Sequence, residues 1–329
     1  MSVRKPSAQG TFEPSLDDLV REDHAYRVLV RLIPFGSLCA PMRSRYASGG
    51  RPGYPVETMF KALLLQWMED LSDRELERFL EENLAAKLFC GFGLWDRTPD
   101  HSSFGVVRER VGLQMVADFF NSVRSSLQGA GLVREVFTFV DATQLISKLD
   151  MWRERDKAIK AGLDRLGNLN VSRVAADPDA RFGRKGGTKW FGYKLHTAID
   201  MAYGFVTRIA ATPANGEDSP AVRHILPRQG MVFGDKAYSF GRARTEIKRR
   251  GLHSGAIKRR SAKDKDFDKD RFLRRVRMPY EGAFAHFEKR ARYRGIYKTQ
   301  YQAFMQGLSH NLKRLVVLHR QGVPWPQCA

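Results

Sequence analysis

The chain has 329 residues, of which 43% are hydrophobic, so it is long enough to bury the core of one large domain or two moderate ones. Its 56 lysines and arginines outnumber 36 acidic residues, and the formal net charge of +20 favours a polyanionic partner, either nucleic acid or an anionic membrane surface. The sequence has no apolar run of the roughly 18 residues that a membrane span needs, and its three cysteines form no C-x-x-C pair. We therefore expect a soluble, cytoplasmic protein that works on nucleic acid, without a disulfide framework or a zinc finger.

The first part of the chain predicts helices. Residues 1–50 mix proline, glycine and charge, and we expect an N-terminal arm with one helix near residues 26–33. From Tyr54 onward apolar residues recur at helical spacing, and Ser72 followed by Glu75 is the pattern of a capping box that opens another helix. Residues 99–103 indicate a further helix start. Residues 51–128 are therefore expected to form a helical domain.

Strand patterns begin after Gly131. Residues 136–140 predict a buried strand ending on Asp141, residues 190–209 alternate like a hairpin that turns at Gly204, and residues 231–234 predict a strand running into Asp235. A helix carrying Leu308 and Leu312 follows near the end of the chain. Two densely charged segments, 146–187 and 242–277, are expected to be insertions. The sequence thus predicts an α/β domain over residues 129–320 and a tail at 321–329.

Two aspartates, Asp141 and Asp235, each stand directly after a predicted strand. If the strands are parallel neighbours, both carboxylates lie at one edge of the sheet, where sites form in α/β folds. A third carboxylate from a following helix would complete a site of hard oxygen ligands for Mg²⁺ or Mn²⁺, and two such ions can support displacement at a phosphodiester. The alternative for either aspartate alone is a turn former or a helix N-cap.

Motifs over residues 50–315 resemble those of bacterial insertion-sequence transposases of the insertion-sequence-five group. In the helical part they are R-P-x-Y-P at 51–55, L-S-D-R-E-L-E at 71–77 and T-P-D-H-S-S-F at 98–104. In the second part they are F-V-D-A-T at 139–143, F-G-Y-K-L-H at 191–196, G-D-K-A-Y at 234–238, Y-E-G-A-F at 280–284 and R-Y-R-G at 292–295. The resemblance implies an all-α DNA-binding domain followed by an RNase H-like α/β catalytic domain, in which a mixed sheet is flanked by helices.

The resemblance further implies a catalytic triad of Asp141, Asp235 and Glu281 that holds two Mg²⁺ or Mn²⁺ ions. In this family an arginine stands four residues before the glutamate and a lysine seven residues after it. Arg277 fits the first position, but Glu288 stands at the second and the lysine follows one residue later, at Lys289. Glu288 is therefore the rival third ligand, although it lacks the preceding arginine.

DNA is the partner that the resemblance implies, both as terminal inverted repeats and as target, with a homodimer or a larger assembly bringing two ends together at the nucleoid. Five side chains are candidate DNA contacts: Lys194, His196, Tyr238, Arg277 and Lys289. Their alternatives are a solvated strand face and, for the tyrosine, a packed aromatic. Two other functions stay open: a DNA-binding regulator with a silent catalytic centre, and a nuclease that cuts without joining strands.

Overall fold

The computed structural model describes residues 14–45, 53–149, 177–185, 187–258, 262, 266–282 and 287–324. Its contacts divide the chain into two compact units, Met1–Arg108 and Glu109–Gln327. No helix in these described ranges combines the length and the apolar character needed to span a bilayer.

The first unit is helical. Its helices are α1 (Leu16–Leu19), α2 (Ala25–Leu32), α3 (Phe35–Cys39), α4 (Val56–Met68), α5 (Asp73–Glu82), α6 (Leu84–Cys90) and the start of α7 (His101–Gly129). The capping box is confirmed, because the Ser72 hydroxyl accepts a hydrogen bond from the Glu75 amide and the Glu75 carboxylate accepts one from the Ser72 amide. Residues 14–45 also belong to this unit, since the rings of Tyr26 and Phe35 each lie 5.5 Å from that of Phe89.

The second unit is built on a six-stranded mixed sheet. The strands are β1 (Phe137–Ile146), β2 (Arg181–Lys185), β3 (Thr188–Asp200), β4 (Val206–Pro213), β5 (Met231–Gly234) and β6 (His253–Ala256). Their order is β2-β3-β1-β5-β6, with β4 also paired to β3. Strands β1, β5 and β6 are parallel, whereas β3 runs antiparallel to β1, β2 and β4. The predicted order of a helical region followed by a mixed α/β domain is confirmed.

Helices cover both faces of this sheet. They are the second part of α7 together with α8 (Asp218–Ala221), α9 (Gly241–Arg249), α10 (Phe267–Glu281) and α11 (Ile296–Arg320). On one face Val140 and Val232 pack with Ile247 of α9. Helix α11 lies along β4, where the Asn311 side chain accepts from the Val206 amide and donates to the Val206 carbonyl, each at 2.8 Å.

The boundary between the units lies inside α7, at Arg108, and not at the end of the helix near residue 128. The second part of this helix packs on the second unit, because Phe120 meets Phe304 of α11 with ring centroids 5.3 Å apart. Gly112 interrupts the helix with a φ of 66°, a conformation that glycine adopts without the penalty of a side chain.

The strands agree with the sequence patterns except at β1. The hairpin of β3 and β4 turns at Gly204, where φ is 79°, and β5 spans the predicted residues. Strand β1, however, continues to Ile146 instead of ending at Asp141. The reason is its antiparallel pairing with β3, which extends as far as the pair Ile146 and Gly192.

The charged segment 242–277 is not an insertion, because it contains α9, β6 and most of α10. Strand β6 pairs with β5 along its whole length although its residues are small and polar, so the sequence pattern gives little sign of it. Of the segment 146–187, residues 150–176 lie outside the described part of the chain.

Candidate catalytic site

The structure brings Asp141 and Asp235 to the same level on neighbouring parallel strands. Phe139 of β1 pairs with Phe233 of β5, and each aspartate follows its phenylalanine by two residues. Because side chains alternate along a strand, both carboxylates share the sheet face of the two phenylalanines. Both are half-buried, so they remain open to solvent on that face.

Each aspartate also accepts a hydrogen bond from the backbone. Asp141 Oδ1 accepts from the Ala142 amide at 2.8 Å, and Asp235 Oδ1 accepts from the Ala237 amide at 2.8 Å. The second bond caps the short 3-10 turn Lys236–Tyr238. Asp235 therefore does have the N-cap role that the sequence analysis gave as an alternative. The capping role therefore holds Asp235 in place beside β1 and does not exclude a catalytic role.

Helix α10, which ends on Glu281, packs over the same sheet face. The Arg277 guanidinium lies 5.9 Å from the centre of the Phe139 ring, and the Tyr280 ring lies 6.4 Å from it. The Tyr280 hydroxyl donates to the carbonyl of Met201. The last turn of α10 therefore lies beside Phe139, two residues before Asp141 in β1, while the side chain of Glu281 lies outside the described part of the structure.

Glu288 does not share a helix with Glu281, although two residues seven apart in sequence would lie on one face if a single helix carried both. Helix α10 ends at Glu281, after Pro279 has removed one amide donor from its last turn and before Gly282, a weak helix former. Glu288 Oε2 instead accepts from Arg292 Nε at 2.9 Å. The next residue, Lys289, is exposed, and its carbonyl accepts from the Ile146 amide at 2.7 Å, beyond Asp141 on β1.

Two of the candidate DNA contacts are buried. His196 and Tyr238 are 0% and 1% exposed, so neither side chain offers surface to DNA in this conformation, which argues against direct contact. His196 Nε2 lies 2.8 Å from Thr212 Oγ1, and burial lowers the pKa of His196 to about 4. Lys194 is half-buried, and its Nζ donates to Asp218 Oδ1 at 2.9 Å, so this cation is already paired.

Asp218 is a residue of this region that the sequence analysis missed. Burial first, and then the negative charges of Asp218, Asp141 and Asp235, raise the pKa of Tyr238 well above its usual value. All three carboxylates therefore act electrostatically on the same phenol. Asp218 was missed because it opens a helix of only four residues and follows no strand directly.

The donor chemistry of the site fits a divalent cation. Carboxylate oxygens on adjacent strands are the hard ligands that Mg²⁺ and Mn²⁺ prefer. Within the described residues no group of three histidine, cysteine or acidic side chains could hold a metal ion, and the side chain of Glu281 is not among those residues. The described residues therefore supply no third ligand beside Asp141 and Asp235.

Family comparison assigns both parts of the chain. Residues 157–312 match the family model of a transposase DDE domain. The chain carries a DDE transposase domain. Residues 14–110 match a second model, that of a transposase domain (DUF772), which coincides closely with the helical unit. No solved structure matches the chain.

The DDE match includes Asp235 and Glu281, whereas Asp141 lies 16 residues before its first residue. The argument for Asp141 therefore rests on its strand pairing with β5. Neither family description names a group within the transposases, so membership of the insertion-sequence-five group remains a prediction.

Proposed function

We propose that the chain is a DNA transposase of the insertion-sequence-five group, and that Asp141, Asp235 and Glu281 form its two-metal-ion catalytic site. The observation that carries the proposal is the shared level of Asp141 and Asp235 on parallel strands, on the sheet face that α10 covers. That arrangement gathers two acidic residues from distant parts of the sequence at one place on the sheet. Structural capping alone would require only Asp235.

The roles follow the resemblance. Asp141 would be the ligand common to the two ions, and Asp235 and Glu281 would each hold one. Bound Mg²⁺ would activate the attacking oxygen and stabilise the leaving oxygen of an in-line displacement. The chain itself fixes the carboxylates, because the β1–β5 pairing and the Asp235 cap leave these two groups little freedom to separate.

The proposed reaction has two steps at one site. Water attacks a phosphorus atom at the end of the element, the bond from phosphorus to the 3′ oxygen breaks, and a 5′ phosphate and a 3′ hydroxyl result. The 3′ hydroxyl then attacks a phosphodiester of target DNA, so that a new phosphodiester forms and a target 3′ hydroxyl leaves. Neither step needs an oxidant, a reductant or an organic cofactor.

DNA is bound, in this proposal, by both units. The helical unit recognises the terminal inverted repeats, and the net charge of +20 supplies attraction to phosphates that does not depend on sequence. Near the catalytic carboxylates, Arg277 and Lys289 are the retained candidates for backbone contacts. Arg277 lies beside Phe139, and Lys289 is exposed beyond the end of β1.

The proposal is tested by cleavage of a labelled duplex that carries the element's end, in Mg²⁺. Asp141→Asn, Asp235→Asn and Glu281→Gln should each lower the cleavage rate by at least about 100-fold, because each ligand supports several kcal/mol of transition-state stabilisation. Glu288→Gln should retain cleavage. Loss with Glu288→Gln and not with Glu281→Gln would move the third ligand to Glu288.

A matched control is Asp268→Asn, which removes the same charge from an exposed position of α10. It should cleave like the wild type. If all four acidic variants and the control behave alike, the assigned site is wrong.

A pre-cut end separates the proposed function from its alternatives. A duplex with a free 3′ hydroxyl at the element's end should be joined to target DNA by a transposase, and the three triad variants should abolish joining. A nuclease would cut the intact end and leave the pre-cut end unjoined. A protein that binds both tightly and changes neither would be a regulator.

A further inference from the structure

A second charged feature of the DDE domain lies away from the catalytic carboxylates. It is an open cavity of about 500 Å³ whose lining includes four arginines, Arg124, Arg208, Arg228 and Arg250. They come from α7, from β4, from the loop before β5 and from the residue after α9. We refer to this cavity as the arginine pocket.

The arginine pocket contains more positive charge than its neighbouring carboxylates offset. Glu135, only 1% exposed, forms an ion pair with Arg208 and lies 3.8 Å from Arg124. Arg250 pairs with Glu246, but that carboxylate is shared with Arg249, which does not line the cavity. Because uncompensated charge is costly in a partly buried site, the excess indicates an anion that completes the set.

Arg124 brings a buried positive charge to the arginine pocket. The residue is 8% exposed, and its Nε has no hydrogen-bond partner among the described residues. Burial, followed by the charge of Arg208, lowers the pKa of Arg124. A buried positive charge of this kind adds to the attraction that the arginine pocket exerts on an anion.

The arginine pocket and the carboxylates lie at opposite ends of the same strands. Glu135 and Arg228 precede β1 and β5, whereas Asp141 lies four residues inside β1 and Asp235 follows β5. Four residues of strand correspond to about 13 Å, so one phosphate cannot occupy both places.

We propose that the arginine pocket binds a backbone phosphate of duplex DNA, at a site separate from the catalytic carboxylates. The planar guanidinium groups match phosphate oxygens in pairs. The lining includes no aromatic ring on which a base could stack, which favours a backbone phosphate over a free nucleotide. Arg228 and Arg250 are exposed at the rim, where a duplex can reach them. The inference rests on the proposed function in that DNA is taken as the substrate.

The first test measures the salt dependence of binding to a duplex of about 40 base pairs by fluorescence anisotropy. The double variant Arg228→Gln/Arg250→Gln should weaken binding about 3- to 10-fold at low salt and reduce the log–log salt slope by about 1. Arg242→Gln/Arg249→Gln is the matched control, since it removes the same two charges from exposed residues of α9 that lie outside the pocket. An equal effect of the double variant and the control overturns the proposal.

The second test locates the phosphate directly. Arginines are modified with phenylglyoxal and identified by mass spectrometry, with no addition, with inorganic phosphate, and with the same duplex. Duplex DNA should lower modification of Arg228 and Arg250 several-fold and leave Arg320, exposed at the end of α11, less affected. If inorganic phosphate protects these arginines and the duplex does not, the assignment to DNA is overturned.

The same footprint on Asp141→Asn separates this inference from the proposed function. The variant should lose cleavage and keep protection of Arg228, because the two sites lie at opposite strand ends. Protection without any wild-type cleavage would support the arginine pocket and contradict the catalytic proposal. Cleavage of DNA without protection of Arg228 would support the catalytic proposal and contradict the arginine pocket.

Discussion

Tyr238 and Asp235 stand three residues apart in one motif and yet have different surroundings. Asp235 is half-buried beside β1, whereas Tyr238 is packed in the hydrophobic core with Val140 and Val232. The Tyr238 hydroxyl has no hydrogen-bond partner in the described structure. Within this motif, therefore, the carboxylate stays partly exposed, whereas the aromatic ring belongs to the hydrophobic core.

Removal of the Tyr238 hydroxyl tests whether this group is buried without a hydrogen-bond partner. Tyr238→Phe should leave the free energy of unfolding unchanged or raise it by about 1 kcal/mol, because an unpaired buried hydroxyl is lost. The measurement is the midpoint of urea denaturation. Tyr193→Phe is the matched control, since its hydroxyl donates to Asp177 and lies 3.2 Å from the Gly295 amide, and it should lower stability by about 1–3 kcal/mol. Equal losses of stability in the two variants would contradict the difference between a paired and an unpaired hydroxyl.

His196 makes the stability of the domain depend on pH. Burial is the main cause that lowers its pKa to about 4, with the positive charges of Lys194 and His224 acting in the same direction and Asp218 opposing them. The unfolded chain, with a histidine pKa near 6.5, binds more protons below that pH, so stability present above pH 6.5 is lost as the pH falls toward 4.

We expect His196 to make the free energy of unfolding about 2 kcal/mol lower at pH 5 than at pH 7. Urea denaturation at the two pH values measures it. His196→Gln should lose correspondingly less stability between them, because glutamine does not titrate. If the two proteins lose the same amount, other groups account for the pH dependence.

At the scale of elements, the junction of β1, β5 and the following 3-10 turn decides the spacing of the carboxylates. Gly234 ends β5 where there is no room for a side chain. A Cβ there would lie 2.7 Å from Tyr238 Cδ2 and 3.2 Å from Val140 Cγ2. The Tyr238 ring therefore occupies the space of the missing side chain and closes the turn against β1.

Gly234→Ala should consequently destabilise the domain by about 1–3 kcal/mol and lower DNA cleavage, because relief of the overlap moves Asp235. Thermal denaturation and the cleavage assay measure the two effects. Gly129→Ala is a suitable control, since nothing lies within 4 Å of its added Cβ. A stable and fully active Gly234→Ala protein would show that the junction tolerates a shift of the aspartate.

At the scale of the whole molecule, the proposed reaction sets a requirement on how many subunits assemble on DNA. Two ends of an element must be held together while strands are cut and joined. The chain offers long helices with apolar stripes and a large positive charge for DNA, and we therefore expect at least two subunits on paired ends.

Sedimentation or light scattering with and without paired end duplexes tests this assembly. The mass should rise to that of a dimer or a larger complex when two ends are present, and catalytic variants such as Asp141→Asn should assemble like the wild type. A protein that stays monomeric under both conditions would contradict the assembly.

Much of the fold could be predicted because its signals are local. The Ser72 capping box, the turn at Gly204 and the strand before Asp235 depend on neighbouring residues, and all three are confirmed. Strand β6 and the extension of β1 could not be predicted in this way, because each is stabilised by pairing with a strand distant in sequence.

For the candidate site, the sequence by itself determined the two aspartates, the glutamates from which a third ligand is chosen, and the excess of positive charge, since these are properties of residue type and motif. Only the tertiary structure decided that Asp141 and Asp235 lie level with each other, that His196 and Tyr238 are buried, and that four arginines meet at one cavity. The physical reason is that side-chain burial and charge pairing depend on which strands and helices become neighbours. That arrangement is set by the packing of the whole domain.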